Sequence, residues 1–101
     1  MRVVGWKEFA TLPEGTIFSY YKPRICEGLY RKCEMICRDK NDGSEAKGAI
    51  DFYQCSLVPE CLNGEPPTLD AYEQRWGMFD YSQQFAVFEE EDLSVLRELL
   101  E

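Results

Sequence analysis

Five cysteines are the side chains with the clearest chemical potential in this chain of 101 residues. Thiolates bind zinc, and Cys33 with Cys37, and Cys55 with Cys61, could supply two pairs of ligands. Zinc knuckles usually place two residues between paired cysteines, whereas these pairs enclose three and five residues. An odd number of cysteines also cannot pair completely within one chain. We therefore expect no bound metal and expect all five, Cys26 included, to be free thiols, most of them packed as small apolar groups.

Conventional catalytic residues are scarce. The chain has no histidine, which removes the commonest general base and the commonest metal ligand. It contains neither a nucleophile-elbow motif nor a glycine-rich phosphate-binding loop. Carboxylates are abundant, with 19 Asp and Glu residues, so some close pairs are expected by chance. The sequence therefore predicts a protein that acts without catalysis and without a cofactor.

Acidic residues are concentrated in the second half of the chain. The formal net charge is -8, and residues 48–101 carry twelve acidic side chains against two basic ones. This excess argues against binding to duplex DNA, because such affinity depends on Lys and Arg releasing counterions. It favours docking onto a basic groove of another protein or of a protein–nucleic-acid complex. The candidate partner-binding residues are Asp80, Glu89, Glu90, Glu91 and Asp92, with Trp76 as an apolar anchor if it is exposed. Acidic residues are also favoured at a helix N-terminus, so a role in helix formation alone stays open.

Aromatic and cationic side chains alternate in the first half of the chain, where residues 1–47 carry nine basic and seven acidic groups. Such an arrangement can stack a base and neutralise a phosphate. It predicts an alternative function, a sponge that sequesters a small nucleotide-type signalling ligand. The candidate ligand-binding residues are Tyr20, Tyr21, Lys22, Arg24, Tyr30, Arg31 and Lys32. Ordinary strand composition is the competing interpretation, since tyrosine is favoured in sheets.

Hydrophobic periodicity predicts the elements that would position these side chains. A short helix begins near Trp6, and aromatic and β-branched residues predict a strand over 16–22. Alternation over 29–38, with Cys33 and Cys37 inward and Lys32 on the opposite face, predicts a half-buried strand. This strand forms a hairpin with a strand over 49–58, through a loop that contains an Asp-Gly turn at 42–43.

The rest of the chain completes one compact unit. Three prolines predict an irregular loop over 59–67, and a final strand over 83–88 leads into a helix over 89–101. Together the elements predict a single α+β domain over 1–101. Its architecture is a small antiparallel sheet or partial β-barrel, with a short N-terminal helix and a C-terminal helix.

Two regions of the sequence resemble small proteins encoded by tailed bacteriophages and prophages. One is 9–18, with the sequence FATLPEGTIF, and the other joins 75–80 (RWGMFD) to 84–89 (QFAVFE). The resemblance rests on structural motifs, so it carries over no functional residue. It implies an accessory protein of the anti-defence or anti-CRISPR type, which inhibits a host factor by direct binding.

The cellular setting follows from hydropathy. No segment approaches the roughly 18 apolar residues of a membrane span. The apolar run at the N-terminus is too short for a signal peptide. We therefore expect a protein of the host cytoplasm with no membrane attachment, present as a monomer or a small homo-oligomer.

Overall fold

Strands from both halves of the chain form one antiparallel sheet. The structure is a computed structural model that describes residues 1–37, 48–58 and 73–101. Its elements are β1 (Arg2–Val4), α1 (Trp6–Thr11), β2 (Ile17–Lys22), β3 (Ile25–Cys37), β4 (Ala49–Ser56), β5 (Glu73–Arg75), β6 (Gln84–Val87) and α2 (Glu90–Leu99). The described strands lie in the order β1-β6-β2-β3-β4-β5, and neighbouring strands are antiparallel. The predicted α+β fold is confirmed. The predicted turn at 42–43, the loop at 59–67 and Cys61 lie outside the described residues.

The strand β3 begins four residues earlier than its alternation predicts. Lys22 at the end of β2 pairs directly with Ile25 at the start of β3, so only two residues form the connecting loop. Pro23 and Arg24 are those residues, and Arg24 has a positive φ of 71°. A proline followed by a residue of positive φ is typical of a type II turn. The tight turn therefore extends the hairpin beyond the segment that hydropathy marks.

The hydrophobic core lies between α1 and the sheet and consists mainly of aromatic rings. Phe9 of α1 is completely buried and stacks on Phe85 of β6, with ring centroids 3.9 Å apart. Its ring also meets Phe18 of β2 edge-on at 4.9 Å and Phe52 of β4 at 5.0 Å. Offset and edge-to-face contacts of this kind add to the stabilisation from burial. A single side chain thus fixes the helix over the central strands.

A β-bulge interrupts the alternation of β3. Its register with β4 shifts between Lys32 and Met35, and again between Ile36 and Cys37. As a result two successive residues, Lys32 and Cys33, are both buried, with 1% and 2% of their surface exposed. The prediction that Lys32 points away from the core is therefore wrong, because its side chain reaches the end of α1, whereas the sulfur of Cys33 contacts that of Cys55. A bulge places two residues opposite one on the partner strand, so simple alternation does not give the buried side of β3.

The ammonium group of Lys32 is hydrogen-bonded to backbone carbonyls at the end of α1. Its Nζ atom donates hydrogen bonds to the carbonyl oxygens of Phe9 at 3.0 Å, Ala10 at 3.5 Å and Leu12. The last carbonyls of a helix have no intrahelical donor, and the negative end of the helix dipole favours a cation. The burial of this charge is thus a structural feature of the fold.

Candidate functional site

The C-terminal helix α2 starts with a well-formed cap. Glu89 and Asp92 form a capping box, in which the backbone N–H of Glu89 donates to Asp92 Oδ2 at 2.8 Å. Three acidic residues occupy the first turn, where the helix dipole favours negative charge, and Arg97 lies in the last turn. Arg97 Nη1 also lies 2.9 Å from Glu90 Oε1. The sequence therefore specifies this helix locally.

The apolar side of α2 is largely uncovered. No residue of the helix is buried, and Val95, Leu99 and Leu100 are 54%, 76% and 77% exposed. Leu93 and Leu96 are half-buried. Because an α-helix repeats every 3.6 residues, these five positions lie on one side. We call the three exposed residues the α2 stripe.

Acidic groups are concentrated at the start of α2. Glu89, Glu90 and Glu91 are exposed, and Asp92 is partly covered. Asp92 Oδ2 lies 2.9 Å from the N-terminal amine of Met1. The hydrogen bond from this amine, with that from Glu89 N–H, lowers the pKa of the Asp92 carboxyl. The structure thus brings four of the predicted partner-binding residues together at the start of one helix.

The remaining two predicted partner-binding residues lie elsewhere. Asp80 belongs to the loop between β5 and β6, and its carboxylate accepts hydrogen bonds from the backbone and hydroxyl of Ser82. Trp76 is only 6% exposed and stacks on Trp6 and Phe52, with centroids 5.0 and 5.4 Å away. It is therefore part of the core, and the condition for an exposed tryptophan anchor is not met.

The predicted ligand-binding residues do not share one surface. Tyr20 and Tyr30 pack together, 4.9 Å apart, and both contact Phe18 of the core, while Lys32 is buried beneath α1. The predicted binding role is therefore contradicted for Lys32, which is inaccessible, whereas Tyr20 and Tyr30 are half-buried.

The other four predicted ligand residues are more accessible. Lys22 lies 3.6 Å from Glu27 in an exposed ion pair. Arg24 lies in the β2–β3 turn, and Tyr21 is half-buried. Arg31 is exposed, with Nη1 3.7 Å from the sulfur of Cys33. They are therefore distributed along the β2–β3 hairpin.

One cavity nevertheless combines members of both predicted sets. It has a volume of about 310 Å³ and lies between the β2–β3 hairpin, β4 and the segment that connects β5 to β6. It is lined by Tyr20, Lys22, Glu27, Gln54, Trp76, Met78 and Gln83. The Tyr20 hydroxyl donates to Gln54 Oε1, and burial raises the pKa of Tyr20. We call it the Tyr20–Trp76 cavity.

Sequence reasoning missed four of the cavity residues, Glu27, Gln54, Met78 and Gln83. Glu27 and Gln54 belong to β3 and β4, whereas Met78 and Gln83 come from the segment between β5 and β6, and none lies in a ligand-binding motif. Apart from Glu27, these residues also carry no charge. Only their convergence in the fold marks them as potential ligand contacts.

The cysteines form a pair that spacing does not predict. Cys33 and Cys55 belong to different candidate pairs of zinc ligands, yet their sulfur atoms are 3.5 Å apart. Cys26 is exposed and Cys37 is half-buried. Among residues 1–37, 48–58 and 73–101, no three cysteine or acidic side chains are grouped so that they could hold a metal ion.

No family model, curated protein or solved structure matches the chain. Within the described segments, neither helix has the combined length and hydrophobicity that crossing a bilayer requires.

Proposed function

We propose that this protein acts by binding, without catalysis, and that it inhibits a partner protein by inserting α2 into a groove with an apolar floor and a basic rim. The observation that carries the proposal is the α2 stripe. Val95, Leu99 and Leu100 are exposed on a helix whose own cap and first turn are well formed. A surface helix that leaves its apolar side uncovered is suited to the helix-in-groove mode of recognition.

The energetics of such docking are favourable. Burial of an exposed leucine or valine contributes about 1.5–3 kcal/mol, so the three side chains of the α2 stripe supply several kcal/mol of gross binding energy. Part of this offsets the loss of translational and rotational freedom. Because α2 is already capped, little further ordering of the backbone is needed.

The charge of α2 selects the partner. Glu90 and Glu91 are exposed in the first turn of the helix, and no basic residue other than Arg97 lies on it. Complementary charge accelerates encounter and discriminates against wrong partners. A nucleic-acid channel offers a basic rim of this kind. Together with the resemblance to tailed-phage proteins, this supports a host defence complex in the cytoplasm as the target.

The proposal is tested by affinity purification from the bacterial host with three forms of the protein. The wild type should retain a host protein that the double variant Leu99→Glu/Leu100→Glu does not. Ile25→Glu is the matched control, because Ile25 is 53% exposed on the hairpin and outside α2. Equal recovery of that protein by wild type and the α2 variant would contradict docking through the stripe.

A second measurement tests the electrostatic part. Glu90→Lys/Glu91→Lys should weaken binding to the recovered protein and flatten its salt dependence, because favourable charge pairs become repulsive ones. Glu89 is left intact because it belongs to the capping box. An affinity that is unchanged at every salt concentration would count against an acidic docking face.

A further inference from the structure

The Tyr20–Trp76 cavity is separate from α2 and plays no part in the docking proposal. Its volume of about 310 Å³ is at the lower limit for small-ligand sites, which span roughly 300–1,000 Å³. Trp76 forms a rigid wall, because its ring is held against Trp6 and Phe52. The cavity is therefore sized for a compact ligand and shaped by the core.

Two glutamine side chains offer polar groups to the cavity. Gln54 is buried, and its Oε1 accepts the Tyr20 hydroxyl proton, while its Nε2 has no hydrogen-bond partner among the described residues. No fully buried side-chain nitrogen or oxygen of those residues lacks a partner, so Nε2 stays accessible from the cavity. The Nε2 atom of Gln54 is therefore free to donate a hydrogen bond to a ligand.

Gln83 supplies the complementary acceptor. Its Nε2 donates to the carbonyl oxygens of Tyr21 at 3.2 Å and Gln84 at 2.7 Å. Both amide protons are then engaged, which leaves Oε1 as the group available to a ligand. A donor on Gln54 and an acceptor on Gln83 match the alternating edge of an amide or a nucleobase.

The loop after β5 holds an apolar side chain at the cavity. Met78 is 71% exposed and lies between Gly77 and Phe79, which have positive φ values of 65° and 53°. The N–H of Gly77 donates to the buried carboxylate of Asp51 at 2.9 Å. A bulky residue at positive φ is strained, and such strain concentrates at ligand sites. The thioether of Met78 is also well suited to contact an aromatic ring.

The charges at the cavity exclude a strongly anionic ligand. Lys22 and Glu27 both line it and lie 3.6 Å apart, so their charges compensate one another. Lys32 is beneath α1 and is not among the lining residues. A phosphate would therefore find no cluster of cations such as phosphate sites use.

We propose that the Tyr20–Trp76 cavity binds a neutral planar heterocycle with adjacent donor and acceptor groups, of the nucleobase or nucleoside class. The flat ring contacts Trp76 and Met78, and its polar edge bonds to Gln54 and Gln83. This ligand differs from the nucleotide that the sequence predicts, since the binding groups are amides and a thioether in place of cations.

The proposal is tested by isothermal titration of the full chain with adenosine, guanosine, cytidine and uridine, and with their 5′-monophosphates. At least one nucleoside should bind saturably, and its monophosphate should bind no more tightly. Saturable binding of none of the four at millimolar concentration would overturn the proposal. Binding that is at least tenfold tighter for the monophosphates would overturn it as well.

Variants locate the site. Gln54→Leu should lower the affinity at least tenfold, because the substitution removes the amide N–H that donates a hydrogen bond to the ligand. Since Gln54 is buried, Met78→Ala provides a second variant at an exposed position and should lower the affinity severalfold. Val58→Ala, at an exposed site that does not line the cavity, should bind as the wild type does. Wild-type affinity in both Gln54→Leu and Met78→Ala would overturn the assignment. Leu99→Glu/Leu100→Glu should keep nucleoside binding, which separates this test from that of α2.

Discussion

The ammonium nitrogen of Lys32 lies 3.0 Å from the carbonyl oxygen of Phe9, in the interior between β3 and α1. The same nitrogen is 5.1 Å from the centroid of the Phe9 ring. One residue of α1 thus offers both its ring and its backbone oxygen to the charge. The sheet supplies the C-terminal cap of α1, and the helix in turn makes burial of a lysine tolerable.

Replacing Lys32 should destabilise the fold more than replacing an exposed lysine. We expect Lys32→Met to lower the free energy of unfolding by about 3 kcal/mol, because each hydrogen bond to a charged group contributes roughly 1.5–3 kcal/mol. Urea denaturation followed by tryptophan fluorescence measures the change. Lys22→Met is the control, since the Lys22 side chain is 63% exposed, and it should change stability by less than about 0.5 kcal/mol. Similar effects of the two substitutions would contradict the capping role.

Asp51 anchors the segment that follows β5. Its buried carboxylate accepts hydrogen bonds from the backbone N–H groups of Phe52 at 2.8 Å and Gly77 at 2.9 Å, and it pairs with Arg75. We expect Asp51→Ala to lower the free energy of unfolding by about 3 kcal/mol, mostly through the backbone donors, because Arg75 is partly exposed and stays hydrated. Thermal unfolding measures the loss. Asp80→Ala, at an exposed turn, is the control and should have a much smaller effect.

The elements that sequence predicts best are those with local determinants. Acidic residues in the first turn and leucines at three- and four-residue spacing specify α2, and the structure places it at Glu90–Leu99. Similarly, aromatic and β-branched residues mark β2. The edge strands β1 and β5 have three residues each, too few for a hydrophobic period to emerge.

The position of Lys32 could not be predicted, because it depends on a bulge. An extra residue in β3 reverses the sides of the residues that follow it, up to the second shift before Cys37, and nothing in the strand's composition signals where the first shift occurs. The two candidate sites also differ in how far the sequence predicts them. The acidic set around Glu89 to Asp92 is contiguous in sequence and was predictable, whereas Gln54 and Gln83 meet only through the order of the strands.

The cysteines should differ sharply in reactivity. Burial and the contact with Cys55 raise the pKa of Cys33 to about 12, whereas Cys26 is exposed. Because the thiolate is the nucleophile, iodoacetamide near pH 8 should modify Cys26 faster than Cys33, and Cys33 only after unfolding. Peptide mass spectrometry of timed samples follows each of the two sites separately. Comparable rates at Cys26 and Cys33 in the folded protein would be inconsistent with the buried position.

The ion pair between Met1 and Asp92 should attach α2 most strongly at intermediate pH, where both groups are charged. The hydrogen bond from the Met1 amine, with that from Glu89 N–H, lowers the pKa of Asp92 below 3.8, while the hydrogen bond to Asp92 raises the pKa of the Met1 amine above 8.0. A carboxyl with a lowered pKa contributes fully above its ordinary value and loses that contribution as the pH falls through the folded-state pKa. An amine with a raised pKa contributes fully below its ordinary value and loses that contribution as the pH rises through the folded-state pKa.

Stability of the α2 attachment should therefore be flat between these limits and decline on both sides. Carbon-detected NMR of the Asp92 carboxyl measures the acid limit directly, and hydrogen exchange of the α2 amides reports the attachment. In Asp92→Asn both the acid-side and the alkaline-side changes should shrink, because a neutral amide neither titrates near pH 3.8 nor pairs with the amine. An Asp92 carboxyl that titrates at 3.8 or above in the folded protein would show that the Met1 contact does not hold α2.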